Sequence, residues 1–252
     1  ILYGVDTRAE DEIEELNGRL GSEWIRESSG AYLSAQSAGP KILWLKNKEP
    51  EVWRRTRWIM NSSTYLAFRL TGRVILDNYT AAFYHPLFDP KRLRWIPEAA
   101  EAICPVEMLP ETAWAVDAVG ELLPEPAAEC GLPSGIPVLA GSADAAAEAV
   151  AAGVRGPGDT MIMYGSSNFL ITVTEELRKG GVYWPAPFLW PGTYAYAGGM
   201  ATAGSITHWF AREFGAGAVV PSSANGERAP RDHPRGPGDP DEQAGTPDTV
   251  FQ

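Results

Sequence analysis

The stretch over residues 136–153 most narrows what this chain can become. IPVLA at 136–140 is an unbroken apolar run and reads as a buried strand. Gly141-Ser142 turns the chain, and an alanine-rich helix follows over 143–152, closed by Gly153. A strand feeding a helix through a tight turn is the unit from which layered α/β proteins are built. Asp144 stands at that junction. In open α/β sheets ligands bind outside the carboxyl ends of the strands, where such a carboxylate sits. The same carboxylate would also complement the helix dipole, and spacing alone does not separate the two roles.

Two β-rich runs follow, over 160–164 and 169–174. Gly165-Ser166-Ser167-Asn168 lies between them and reads as a hairpin turn. A tight glycine turn exposes backbone N–H groups, and serine hydroxyls add donors, so its tip could hold phosphate oxygens or be an ordinary turn. A short strand over 194–197 leads into Gly198-Gly199, and a helix runs over 205–214 after Gly204. The first half is mainly helical. Asp6 or Thr7 is expected to cap a helix with Ile13, Leu16 and Leu20 on one face and Gly21 as its stop. Further helices are expected over 40–48, from Pro50 to about Trp58, from a Ser62 or Ser63 cap to Gly72, and over 124–131. No internal repeat appears.

Composition excludes several classes. Of 252 residues, 44% are hydrophobic and nine are Trp, enough for a packed core. Thirty-two acidic against 21 basic side chains give a net charge of −11, the wrong sign for a nucleic-acid binder. ATP binding remains compatible with that charge, since backbone N–H groups and a metal ion supply local positive potential. Cys104 and Cys130 make no disulfide framework and no four-ligand zinc site, and both read as buried small hydrophobes in a reducing cytoplasm. No apolar run reaches the roughly 18 residues of a membrane span. Residues 8–15 are acidic and helix-like rather than a signal peptide, and the chain opens on Ile1, which is expected of a fragment. Residues 216–252 are rich in Pro, Gly, Ser, Asp and Arg and are expected to be a disordered or aberrant tail.

In their order, these features resemble the FGGY family of carbohydrate kinases. The segments that carry the resemblance are ILYGVDTRA, SAGPKILWLKNK, YLAFRLTGRVILDNYTAAFYHPLFD, GIPVLAGSADAAAEAVAAGV, DTMIMYGSSNFLI and GGMATAGSITHWFAREFG. The Gly141-x-x-Asp144 run and the YGSS hairpin are the most specific. In SAGPKILWLKNK the Lys41, Trp44 and Asn47 spacing fits, while Ala38, Lys48 and, just before the segment, Gln36 depart from the usual choices.

The resemblance implies an α/β, actin-like or ribonuclease-H-like ATPase fold. Residues 1–154 would be most of an N-terminal sugar-binding domain without its first strands, and 155–215 the start of a C-terminal nucleotide-binding domain. It implies ATP and Mg2+ as cofactors. Asp144 falls on the general base that takes the proton of the attacking sugar hydroxyl, and also on a sugar-binding position. Asp6 and Arg8 fall near the sugar pocket, and Gln36 on a position that faces substrate in some members. Gly165 and Ser166 fall on a phosphate loop, Gly204 and His208 near the nucleotide. A sugar and ATP are the implied partners, with no nucleic acid and no membrane, in the cytoplasm; a homodimer is left open for the full-length parent.

ILYGVDTRA is most similar to xylulokinase-like members, so D-xylulose is the first expected substrate, with ribulose, gluconate and glycerol as alternatives. The family's leading Asp-Gly-Thr phosphate loop, its later adenosine loop and its second signature do not appear. Gly226-Glu227-Arg228-Ala229-Pro230 is similar to a family segment but arrives early, which points to an internal deletion or a shifted reading frame. With one phosphate loop, this stretch by itself is expected to be inactive; a non-catalytic remnant is the alternative of a different class.

Overall fold

The computed structural model describes residues 6–178, 183–200 and 202–215. The expected tail at 216–252 lies outside the described residues. Five helices open the chain: α1 (Glu10–Leu20), α2 (Ser22–Ser29), α3 (Ala38–Lys48), α4 (Pro50–Arg55) and α5 (Ser62–Thr71). In α1 three acidic residues occupy the first turn and Arg19 the last, complementing the helix dipole. Gly21, at φ +86°, ends it. Neither Asp6 nor Thr7 caps α1. The N-cap is Ala9, without a side-chain bond, because the Asp6 carboxylate is taken up by Arg8. Helix α5 is likewise capped one residue earlier than expected, by Asn61 Oδ1, which accepts from the Thr64 N–H at 3.0 Å. The proline-opened α4 stops at Arg55, short of Trp58.

The middle of the chain forms β1 (Ile75–Asp77), α6 (Asn78–Ala81), β2 (Phe88–Asp89), β3 (Arg94–Trp95), α7 (Pro97–Ile103), β4 (Glu111–Ala113), β5 (Ala118–Glu121), α8 (Pro124–Cys130) and β6 (Pro137–Leu139). Strand β1 pairs in parallel with β4, β2 pairs antiparallel with β3, and β5 antiparallel with β6. The remainder is α9 (Asp144–Ala151), β7 (Thr160–Tyr164), β8 (Asn168–Thr174), β9 (Trp184–Pro187), β10 (Tyr194–Met200) and α10 (Gly204–Phe214). The last four strands form one antiparallel sheet in the order β7-β8-β10-β9.

One buried cluster runs from Leu16 on α1 and Leu43 on α3 through Leu76, Tyr79, Phe88 and Ile103 to Ile171 on β8 and Phe188. The Tyr79 and Phe188 rings meet edge to face at 6.3 Å between centroids. Residues on both sides of position 154 therefore share a core. Residues 1–209 make one compact unit. Of a second, 210–252, the described part is 210–215, where the Phe210 and Phe214 rings lie 5.0 Å apart.

Three further expectations need correction. Strand β6 exists but is not buried: Leu139 is 52% exposed. It is three residues long and belongs to a two-stranded ribbon, which is too little sheet to cover both its faces. Gly198 and Gly199 lie inside β10 rather than after it, Gly199 opposite Phe169. A Cβ on Gly199 would stand 2.9 Å from the Asn168 carbonyl oxygen, so the pair permits close strand approach. Cys104 is buried as expected, but Cys130, at the end of α8, is exposed. No helix among the described residues is long and apolar enough to cross a membrane.

Candidate functional site

Asp144 is the first residue of α9. The chain leaves β6, turns at Gly141 (φ +70°) and enters the helix through Ser142 and Ala143. Ala146 and Ala149 are fully buried, so α9 packs closely on one face. That packing leaves the Asp144 carboxylate exposed at the helix start, where Oδ1 accepts the Ala145 N–H at 2.8 Å. An accessible carboxylate held at a helix N-terminus can take a proton from a substrate hydroxyl.

Behind this junction lies a carboxylate that sequence reasoning did not single out. Asp77 ends β1 and caps α6. Its Oδ2 accepts both the Thr80 N–H and the Ser142 hydroxyl, each at 2.9 Å. Burial pushes its carboxyl above the usual range, against the opposing hydrogen bonds of Thr80 and Ser142. Tyr79 sits in the same neighbourhood. Burial raises its hydroxyl pKa first, and the charges of Asp77 and Asp144 add to that. The available signal was the spacing Asp77-x-x-Thr80, a helix-cap pattern.

The hairpin forms as expected, with Tyr164 opposite Asn168 and a loop over 165–167. It docks on the start of α10. The Gly165 carbonyl accepts the Gly204 N–H at 2.9 Å, and the Ser166 carbonyl accepts the Ala203 N–H at 2.8 Å. Gly165, Ser166 and Gly204 are thus brought together. A Cβ on Gly204 would stand 2.5 Å from the Gly165 carbonyl oxygen, so only glycine permits this contact. His208 is exposed one turn further along α10.

Asp6, Arg8 and the turn bearing Gln36 make a third group. The Arg8 Nη2 donates to Asp6 Oδ2 at 2.6 Å, and the guanidinium lies 4.8 Å from the centre of the Trp44 ring. Hydrogen bonds from Arg8 hold the Asp6 carboxyl down at about 2. Lys41 lines the same crevice as Asp6, Ser34 and Ser37. Burial lowers its ammonium pKa, with the Asp6 charge acting the other way. Gln36 is exposed in the turn beside this crevice, its N–H donating to Ser34 Oγ at 3.3 Å.

A model of the N-terminal domain of the FGGY family of carbohydrate kinases matches residues 1–151. Over 172 residues the chain is 31% identical to the xylulose kinase of Bacillus subtilis (strain 168), covering 68% of this chain and 34% of that protein. It is 29% identical over 215 residues to the xylulose kinase of Lactococcus lactis, covering 84% and 42%. The crystal structure of xylulose kinase from Rhodospirillum rubrum matches with a TM-score of 0.77 at 29% identity, covering 85% of this chain and 44% of that one. The chain spans between 34% and 42% of the length of these two curated relatives. The fold is that of the actin-like ATPases, in mixed helix and sheet. By its match over residues 1–151, the chain belongs to the FGGY family of carbohydrate kinases.

Proposed function

We propose that the full-length protein transfers the γ-phosphoryl group of ATP to a hydroxyl of a ketose or polyol, with D-xylulose the first substrate to test. The observation that carries this reading is the exposed Asp144 carboxylate at the start of α9 in a chain of this family. In it, Asp144 takes the proton of the attacking hydroxyl as the oxygen–phosphorus bond forms and ADP leaves. Asp6, held ionised by Arg8, is a ready acceptor for sugar hydroxyls, with the Gln36 turn beside it. The hairpin loop at Gly165 and Ser166 contacts the nucleotide phosphates, and Gly204 serves by letting α10 hold that loop. His208 lies nearby as a nucleotide contact. Residues 1–154 carry the sugar side and 155–215 begin the nucleotide side.

Among the described residues no three His, Cys, Asp or Glu side chains gather to hold a metal. In this reading Mg2+ would come bound to ATP rather than to a cage of this chain's side chains, and would supply positive charge against the phosphates. The test is ADP release by the full-length protein with Mg·ATP and, in turn, xylulose, ribulose, gluconate and glycerol. Turnover with xylulose above the others supports the reading. No turnover with any of them overturns it, and sugar binding without turnover would favour a non-catalytic remnant.

A further inference from the structure

Asp77 is 1% exposed, yet it keeps a carboxylate with one oxygen, Oδ1, that finds no hydrogen-bond partner among the described residues. A buried carboxylate is costly, and capping a four-residue helix does not require one, since Ser, Thr or Asn can accept the Thr80 N–H as well. The second bond to Oδ2 is what the cap does not explain. It comes from Ser142, 65 residues away in sequence and two residues before Asp144. Between Ser142 and Asp144 there is only Ala143, so anchoring the Ser142 side chain limits where the first turn of α9 can lie. Among the described residues Asp144 receives no comparable anchor of its own: its carboxylate accepts the next backbone N–H.

We infer that the Asp77–Ser142 hydrogen bond is a clamp that sets the position of Asp144, making Asp77 and Ser142 positioning residues for proton removal from the acceptor hydroxyl. The inference rests on the reading of Asp144 given above. A misplacement of the order of 1 Å in a catalytic group costs about 100-fold in rate, so a single tether at this point matters. The clamp also joins two elements that are distant in the chain, the β1–α6 corner and the β6–α9 corner.

The variant to make is Ser142→Ala, which removes one hydroxyl from a half-buried site and leaves the Thr80 cap on Asp77 intact. In the full-length protein kcat should fall roughly 10- to 100-fold while the sugar KM stays within about twofold. Ser142→Thr, which keeps a hydroxyl, should recover most of the loss. Combining Ser142→Ala with Asp77→Asn should cost no more than the worse single variant, since both break the same link. Hydrogen exchange supplies a readout that needs no turnover. Ser142→Ala should speed exchange of the Ala147 and Glu148 amides, the first bonded into the start of α9, several-fold and leave α5 unchanged. Unchanged kcat and exchange in Ser142→Ala would overturn the clamp, as would a loss carried wholly by the sugar KM. Asp144→Asn is the companion measurement. If it stays active, the reading of Asp144 fails; if it is inactive while Ser142→Ala is normal, only the clamp fails. Should the wild type show no turnover, the proposed activity fails and exchange alone decides the clamp.

Discussion

Asp144→Asn keeps the size and the hydrogen-bonding outline of the side chain and removes its capacity to accept a proton. In the full-length protein the rate of phosphoryl transfer should fall by about 10² to 10⁴, with sugar affinity nearly unchanged. Steady-state kinetics beside calorimetric sugar binding check this, and turnover within about threefold of wild type would remove Asp144 from its role. Ser166→Ala tests the other side of the reaction. Its carbonyl, which holds α10, is untouched, so only the hydroxyl is lost. A charge-assisted bond to a phosphate is worth roughly 1.5 to 3 kcal/mol, so the ATP KM should rise about tenfold or more with the sugar KM unmoved. Equal effects on both substrates would mean an ordinary turn. The junction that carries Asp144 was legible in the sequence because strand, glycine turn and alanine helix are all local signals, but spacing did not separate a proton acceptor from a carboxylate that complements the helix dipole. Asp77 was not legible, because its meaning lies in a bond to Ser142 across 65 residues. The sequence reads Asp6 as a helix cap, and the structure departs from that because Arg8, two residues on, takes up the same carboxylate.

Elements with strong punctuation could be read directly. Helices α1 and α5 end on glycines at positive φ, α4 opens on proline, and the hairpin of β7 and β8 turns where Gly165 stands. The region 73–123 was silent for a physical reason. Its strands are two to four residues long, too short for an alternating pattern to register, and their pairing partners are set by tertiary packing. Strand β6 shows the complementary failure: an apolar run predicts a strand well and its burial badly, because burial depends on what the rest of the chain lays over it. At this scale the contact between the hairpin loop and α10 is open to a single substitution. Gly204→Ala drives a methyl group against the backbone carbonyl of Gly165, which cannot rotate away as a side chain would. Overpacking of this kind costs about 1 to 3 kcal/mol. The expected outcome is faster exchange of the Gly204 and Ser205 amides and a weaker ATP interaction, with sugar binding retained. Unchanged exchange at these two amides would show that the loop and helix are not locked together.

Across the whole molecule, the layered α/β class follows from strand–helix alternation, whereas the actin-like assignment needs family resemblance, because no local pattern specifies how short ribbons and a four-stranded sheet share one core. That shared core also sets how the chain responds to acid. His85 is buried among packed elements, with its carbonyl accepting the Gly39 N–H at 3.1 Å. Burial lowers its pKa from the usual 6.5 to about 4, against a smaller upward pull from its hydrogen bond with the Ser29 backbone. The folded state therefore binds the His85 proton less readily than the unfolded chain does. This contribution to stability is fully present above pH 6.5 and is lost as pH falls towards 4, and a shift of that size is worth about 3 kcal/mol. Asp77 works in the opposite sense: its raised pKa favours the folded state at low pH and loses that contribution as pH rises through the folded value. Asp6, held at about 2, acts only below its unfolded 3.8 and so outside this window. The quantity to measure is therefore a difference, the urea-unfolding free energy of wild type minus that of His85→Gln, at steps from pH 7 to pH 4. Wild type should lose stability relative to the variant by about 3 kcal/mol across that range. A difference that stays flat with pH would show that His85 is hydrated and protonates in place, and that the core around it is open.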